Sequence, residues 1–378
     1  MSGARAIRFG DFEELGLEEL EEHSRIPEKA SDTGDDLRAA FLSLSTPAGL
    51  AALLECQRDE LMSLLSAKSA EKYSTFFIQK RRGGRRTIEA PNPALKSVQR
   101  RLSSILYAVH RPRPSAHGFR RHRGIGTNAN CHVGKQHVGN LDLENFFGSI
   151  NFGRVFGLFL AKPYALPRPV ATVLAQICCH KNALPQGAPT SPIVANMVAN
   201  SLDRDLECLA ARYRCRYSRY ADDLTFSTDL ESFPRALLEP KGEGQIAAIV
   251  GPALAESLLR QGFRPNPKKV HLASRRVRQE VTGLVVNEKV NIKREFIRQV
   301  RAMTHALGKF GDEAATEMHY EEFSTKQYAR GGRPMLSHIV KGKLEFVRST
   351  IGADNPVYLT LVERYRQAIE PPPTSRRA

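Results

Sequence analysis

The stretch Tyr217-Ser218-Arg219-Tyr220-Ala221-Asp222-Asp223-Leu224-Thr225-Phe226-Ser227 sets two adjacent carboxylates between residues that favour extended chain. Tyr, Thr and Phe on both sides predict two strands, and the short acidic centre predicts the turn of a β-hairpin. Successive residues of an extended chain point to opposite faces, so Asp222 and Asp223 cannot play identical roles. Taken alone, an Asp-Asp pair reads more readily as a polar turn than as a reactive site.

A second carboxylate lies 80 residues upstream. Val138-Gly139-Asn140-Leu141-Asp142-Leu143-Glu144-Asn145-Phe146-Phe147-Gly148-Ser149-Ile150 reads as a strand that ends at Asp142 and passes into a helix. An aspartate at the end of a buried strand can meet a hairpin turn on the neighbouring strand. Three carboxylates gathered in this way can hold two Mg²⁺ ions ~4 Å apart, a pair suited to activating a primer hydroxyl and stabilising a departing pyrophosphate.

These residues resemble the central motifs of reverse transcriptases. The resemblance rests on Tyr220-Ala221-Asp222-Asp223, on Asp142 followed by Phe146-Phe147, and on Leu184-Pro185-Gln186-Gly187-Ala188-Pro189-Thr190-Ser191-Pro192 between them, in matching order and spacing. It extends upstream through Lys80, Gly83-Gly84-Arg85-Arg86-Thr87-Ile88, Ala90-Pro91 and Leu95-Lys96. Downstream it takes in Asn266-Pro267-Lys268-Lys269, so that it covers roughly residues 73 to 370.

The resemblance implies an α+β, right-hand polymerase with fingers, a palm of antiparallel sheet plus helices, and a helical thumb. It implies two Mg²⁺ ions held by Asp142, Asp222 and Asp223, with the Leu143 carbonyl nearby. Phe147 falls where the family places a steric gate against the ribose 2′-hydroxyl, which favours deoxynucleoside triphosphates as substrates. Gln186-Gly187 falls on the loop that approaches the nascent base pair, Lys80 and Arg86 match triphosphate-holding residues of the fingers, and Lys269 matches a lysine near the pyrophosphate that acts as a general acid. Each has a plainer alternative in core packing, an ordinary loop or a solvated charge.

Asn128-Ala129-Asn130-Cys131-His132 resembles the Asn-Ala-x-x-His signature of bacterial retron enzymes, and Val281-Thr282-Gly283 their second signature. In retrons these regions are associated with recognition of a cognate structured noncoding RNA. Asn128, Ala129, His132, Val281, Thr282 and Gly283 are therefore the candidate RNA-recognition residues. The implied function is RNA-directed DNA synthesis: part of that RNA is copied into multicopy single-stranded DNA, primed from a guanosine 2′-hydroxyl, leaving an RNA–DNA product. A role in antiphage defence with a separate effector protein is implied as well. The alternatives are another group II-like bacterial reverse transcriptase, of the diversity-generating or abortive-infection type, and a catalytically idle RNA-binding scaffold.

Charge points the same way. Lys plus Arg number 56 against 40 Asp plus Glu, a formal +16. Residues 1–72 hold 8 basic and 15 acidic side chains, so the remainder carries a net +23. A surplus of that size is the footprint of a polyanion partner, although charge alone does not distinguish it from a generic basic surface. Hydrophobic residues at 41% and charged residues at 25% argue against disorder and against a membrane bundle. No apolar run approaches the ~18 to 20 residues of a spanning helix, and the acidic start lacks the apolar core of a signal peptide, so no membrane partner and a cytoplasmic location are expected. The six cysteines show no metal-binding spacing and read as reduced core fillers.

Four segments are expected: an acidic helical extension over 1–72, interleaved fingers and palm over 73–280, a thumb over 281–370 and a disordered basic tail over 371–378. Within them, Leu37 to Ala67 reads as two helical segments split at Pro47. Tyr73 to Ala90 reads as a strand, basic turn and strand, Leu95 to Val109 as a helix, and Pro234 to Gly244 as a surface insertion.

Overall fold

In the computed structural model of the chain, residues 34–79, 84–242, 246–323 and 333–369 are described. The chain divides into two compact units, which succeed one another between Thr282 and Gly283. The α+β class expected from the sequence holds.

The first unit opens with helices α1 (Gly34–Leu42), α2 (Pro47–Leu53), α3 (Arg58–Ser66) and the single turn α4 (Ser69–Lys72). Two helical segments were expected here. Pro47 does begin a helix, with Thr46 accepting from the Gly49 N–H (3.1 Å), but a further break falls at Glu55, whose φ is +57°. The Gln57–Glu60 capping box then restarts the helix.

Strands β1 (Tyr73–Gln79) and β2 (Arg85–Pro91) pair antiparallel. Asn92 then caps α5 (Pro93–Val109), which buries Leu102, Ile105, Leu106 and Val109. A short helix α6 (Ile125–Asn130) precedes β3 (His137–Asp142). The expected passage from Asp142 straight into a helix is not seen. Turns occupy 144–149, with Asn145 at φ +46°, and α7 (Phe152–Leu160) begins only after the cap at Asn151.

Helices α8 (Arg168–Cys178) and α9 (Ser191–Arg212) lead to the hairpin of β4 (Arg216–Tyr220) and β5 (Asp223–Thr228). Strands β6 (Leu238–Pro240) and β7 (Ala248–Val250), helix α10 (Pro252–Arg260), a 3₁₀ turn over Pro267–Lys269, β8 (His271–Ser274) and β9 (Glu280–Val281) complete the unit. Pro234 to Gly244 is thus no plain surface insertion: Leu237 and Leu238 are fully buried, and β6 pairs with β7.

The central sheet is antiparallel in the order β4-β5-β3-β8. One apolar core joins its inner face (Leu141, Leu224, Phe226) to α5, α7, α8 and α9 through residues such as Ile105, Phe159, Leu174 and Leu202. Burial of this kind contributes about 25 cal/mol per Å² of apolar surface and holds β3 and β5 against a rigid helical layer. All six cysteines are free thiols, but only Cys178 is fully buried and Cys208 is exposed, so core filling describes one of them.

The second unit begins with β10 (Leu284–Val285) and continues into α11 (Arg294–Phe310), α12 (Asp312–Phe323), α13 (Leu336–Ile351) and α14 (Pro356–Ile369). Its own core is built on Phe296, Val300, Met303, Val340, Leu344 and Leu361. Among the described residues no helix is long and apolar enough to cross a membrane. The expected tail over 371–378 and the first 33 residues of the expected extension lie outside the described residues.

Candidate active site

The predicted hairpin brings the two ends of the acidic constellation together through its register. β3 and β5 pair with Asp142 directly opposite Asp223, and β4 and β5 pair with Tyr220 opposite Asp223, leaving Ala221 and Asp222 in the turn. The Leu143 N–H donates to the Asp222 carbonyl (2.9 Å), which ties the end of β3 to the turn itself. On the other side the Asn266 N–H donates to the Asp142 carbonyl (2.8 Å), and Leu143 bridges to Pro265. Asp142, Leu143, Asp222 and Asp223 therefore converge through backbone bonds.

Ala221 is held at φ +55°, a left-handed conformation that costs a residue bearing a Cβ about 1–2 kcal/mol. What holds it lies beneath. Arg219, 1% exposed, donates through Nε and Nη2 to the two oxygens of Asp203 (2.7 Å each). Its Nη1 donates to Asn196 Oδ1 (3.0 Å) and to the Ala221 carbonyl (3.1 Å). Burial alone would lower the pKa of Arg219; the Asp203 carboxylate outweighs it and the net shift is upward. Gly118 closes the other side, where an added Cβ would stand 2.4 Å from the Ala221 nitrogen.

The acids crowd one another. Burial first, then the carboxylates of Asp142 and Asp222, push Asp223 up to about 8. Burial and Asp142 also raise Asp222, against the opposing pull of Lys269 and Arg86. Lys269 reaches the site from the 3₁₀ turn and ion-pairs with Asp142 Oδ2. Burial would lower its pKa, yet the three carboxylates raise it overall. Among the described residues no three His, Cys, Asp or Glu side chains stand in a ready-made metal cage. The donor set nonetheless fits a hard divalent cation: three carboxylates share one ammonium, and two of them resist ionisation for want of positive charge.

Phe146 and Phe147 separate into two roles. Phe146 is buried against Phe263 (centroids 5.5 Å apart), whereas Phe147 is half-buried and borders Phe119 (6.1 Å). The Gln186-Gly187 loop docks on β2, where the Glu89 N–H donates to the Gln186 carbonyl (2.8 Å). Gly187 sits at φ +127°, and a Cβ there would come within 2.9 Å of the Glu89 oxygen, so the docking requires glycine. Arg86 is exposed on β2, close enough to the acids to influence Asp222. Lys80 lies outside the described residues.

The RNA-recognition candidates lie mostly inside the protein. Asn128, Ala129 and His132 are fully buried and present no surface to a ligand. His132 bridges the hairpin strands, with Nδ1 2.7 Å from Ser227 Oγ and Nε2 2.7 Å from Ser218 Oγ, while Ser218 donates to Asn128 Oδ1 (2.6 Å). Because the Ser218 proton goes to Asn128, the network assigns the proton of His132 to Nε2. Burial above all pushes this imidazole down to about 3. Val281 is also buried, and Thr282 Oγ1 donates to the Ile125 carbonyl at the start of α6 (3.3 Å), the helix that carries Asn128 and Ala129. Gly283 begins the second unit at φ +82°.

Sequence reasoning missed Arg219, Asp203 and Asn196. A signal existed: Asn196 and Asp203 lie one heptad apart on α9, on the stripe that carries Ala195, Ala199, Leu202 and Leu206.

Residues 78–299 match the family described as reverse transcriptase (RNA-dependent DNA polymerase). Over 267 residues the chain is 37% identical to the Retron Mx65 reverse transcriptase of Myxococcus xanthus, covering 66% of this chain and 59% of that protein. Over 251 residues it is 34% identical to the Retron Ec86 reverse transcriptase of Escherichia coli, covering 66% and 74%. Similarity to the Retron Mx162 reverse transcriptase of M. xanthus is 36% over 259 residues, 63% and 53% of the two chains. The matched part thus spans between about half and three-quarters of these relatives.

Proposed function

Because the chain belongs to the reverse transcriptase family and, within it, to the retron reverse transcriptases, we propose that it is an RNA-directed DNA polymerase. It copies part of a cognate structured noncoding RNA into multicopy single-stranded DNA, primed from a guanosine 2′-hydroxyl. The observation that carries this reading is the Asp142–Asp223 register pair closed by the Leu143–Asp222 bond.

Asp142, Asp222 and Asp223, with the Leu143 carbonyl, would hold two Mg²⁺ ions. Such ions lower the pKa of a primer hydroxyl and neutralise charge on a leaving pyrophosphate. The chain's own residues do the rest. Lys269 places a charged proton donor beside Asp142, positioned to protonate a leaving phosphate oxygen. Arg86, together with Lys80, contributes positive charge to the triphosphate. Gln186 and Gly187 bring backbone to the nascent base pair, and the half-exposed ring of Phe147 excludes a 2′-hydroxyl.

Segments 73–280 and 281–370 act as interleaved fingers and palm and as thumb. Asn128, Ala129, His132, Val281, Thr282 and Gly283 influence RNA choice by fixing the shape of the surface above them, a mode suited to structured RNA. A separate effector protein in antiphage defence completes the proposed system, in the cytoplasm.

Sequencing nucleic acid that copurifies with the protein tests the reading. RNA joined 2′,5′ to a defined single-stranded DNA is the expected result. Mutagenised repeat copies would assign the chain to a diversity-generating enzyme, untemplated DNA to an abortive-infection type, and RNA alone to a scaffold.

A further inference from the structure

A cavity of about 520 Å³ opens in the first unit beside α9. Asn196 and Asp203 of α9 hold Arg219 beneath the hairpin, whereas Met197, Asn200, Ser201 and Arg204 from another stripe of the same helix line the cavity. None of Asp142, Asp222, Asp223 or Lys269 lines it.

Seven lining side chains are Lys or Arg, and none is Asp or Glu. Three acids outside it engage four of the seven: Asp35 pairs with Arg111 (3.3 Å), Glu207 with Arg113 (2.6 Å), and Asp205 with Arg204 (3.3 Å) and Arg260 (3.9 Å). Arg38, Arg154 and Lys162 have no carboxylate partner among the described residues. Arg38 donates to the Val109 carbonyl, and Arg154 donates to Ser149 (3.2 Å) and Gln261 (2.8 Å) carbonyls, which orients both guanidiniums without neutralising them. Like charges gathered around one concavity repel each other unless an anion enters.

The floor is of another kind. Val109, Leu158, Tyr164, Met197 and Val198 supply apolar surface. Two polar groups interrupt it without partners, Nε2 of His110, which is 6% exposed, and Oδ1 of Asn200. The volume falls within the roughly 300–1,000 Å³ of pockets that take small ligands. Cations around an apolar floor with spare hydrogen-bonding groups suit a ligand that carries a phosphate and a flat, polar-edged ring.

We propose that this cavity is a second nucleotide site, which takes one phosphate-bearing nucleotide with its phosphate among Arg38, Arg154 and Lys162 and its base over the Tyr164 floor. The choice of a nucleotide over another phosphorylated ligand rests on the polymerase reading above. The nucleotide reaches the cavity either as a residue of a bound strand or free in solution.

Acetylation of the exposed Lys162 in the full chain, followed by mass spectrometry, tests the proposal. It is run alone, with a 15-nucleotide single-stranded RNA, and with 5′-AMP. Protection of about fivefold or more by RNA only assigns the site to a strand, and protection by AMP as well assigns it to the free nucleotide. Unchanged acetylation in both arms overturns the proposal. RNA carrying 4-thiouridine should crosslink to the peptide containing Tyr164, and crosslinks confined to other peptides would overturn it too.

Lys162→Glu with Arg204→Glu should weaken binding of the same RNA about tenfold. It should also flatten the log-log salt dependence by roughly 0.7, the contribution of one phosphate contact on a single strand, here that of Lys162. Wild-type affinity and slope in that variant would count against the site. Extension of a preannealed primer should proceed at the wild-type rate in the double variant. Failure of the wild-type chain to extend that primer would overturn the polymerase reading and leave the cavity result standing.

Discussion

Arg219 and Ala221 are joined by a hydrogen bond from a buried guanidinium to the carbonyl that precedes Asp222. The turn that carries Asp222 is thereby fixed from below by a buried side chain. Arg219→Met leaves Asp203 as a buried, unpaired carboxylate and should cost about 3–5 kcal/mol of stability. Pairing it with Asp203→Leu should recover most of that stability, because a buried ion pair is replaced by apolar packing. DNA synthesis should stay low in the double variant, since the Ala221 carbonyl has lost its donor. Urea unfolding and primer extension on the same preparations separate the two effects, and full activity in the double variant would refute the positioning role.

Asp142→Asn and Asp222→Asn should each abolish DNA synthesis, because two acidic strands must jointly bind divalent cation and align the attack. RNA affinity should stay near wild type, since the basic surface is untouched. Primer extension alongside filter binding checks both, and near-normal product from either variant would displace the assigned site.

Phe147→Ala should admit ribonucleotides by removing a collision, without adding an attraction. Competition between matched ribo- and deoxynucleoside triphosphates on one template measures the change. An active variant with unaltered preference would assign Phe147 to packing against Phe119.

His132, pushed down to about 3, is bound to its two serines as the neutral ring. A histidine whose folded pKa lies below its unfolded value contributes stability above about pH 6.5 that is lost as pH falls toward the folded value. His110 and His117, both lowered to about 4 chiefly by burial, act with the same sign. Between pH 7 and pH 5 each of the three should cost up to about 2 kcal/mol. Urea unfolding at the two pH values should show His132→Gln losing up to about 2 kcal/mol less stability than the wild type between them, whatever the raised carboxylates of Asp222 and Asp223 contribute with the opposite sign. A variant with the full wild-type difference would mean that His132 is not the buried neutral ring found here.

The hairpin, β3 and α5 were legible because a two-residue or helical period of apolar positions is written directly in the chain. The carboxylates were legible because their spacing matched a known order of motifs. Asp203 and Arg219 were not, since 16 residues separate them and a charged residue in a sequence reads as exposed until its partner is found. The burial of Asn128 and His132 escaped for a similar reason: polar side chains enter a core only when a network satisfies them, and Ser218 and Ser227 lie 86 to 99 positions further along the chain. Leu237 and Leu238 were overlooked because Pro234 and Gly242 dominated the reading of that stretch as punctuation.

Asn196 gives its carbonyl oxygen to Arg219 and its amide protons to the backbone of Gly118 (2.9 Å) and Phe119 (3.1 Å). The ring that borders Phe147 and the arginine that steadies Asp222 therefore hang from one amide. On the roles proposed for Phe147 and Asp222, a change at Asn196 that relaxes sugar choice also loosens turnover. Anyone seeking a more permissive variant would do better to alter Phe147 itself, while lineages that replace Asn196 should show compensating changes at 118, 119 and 219 in concert.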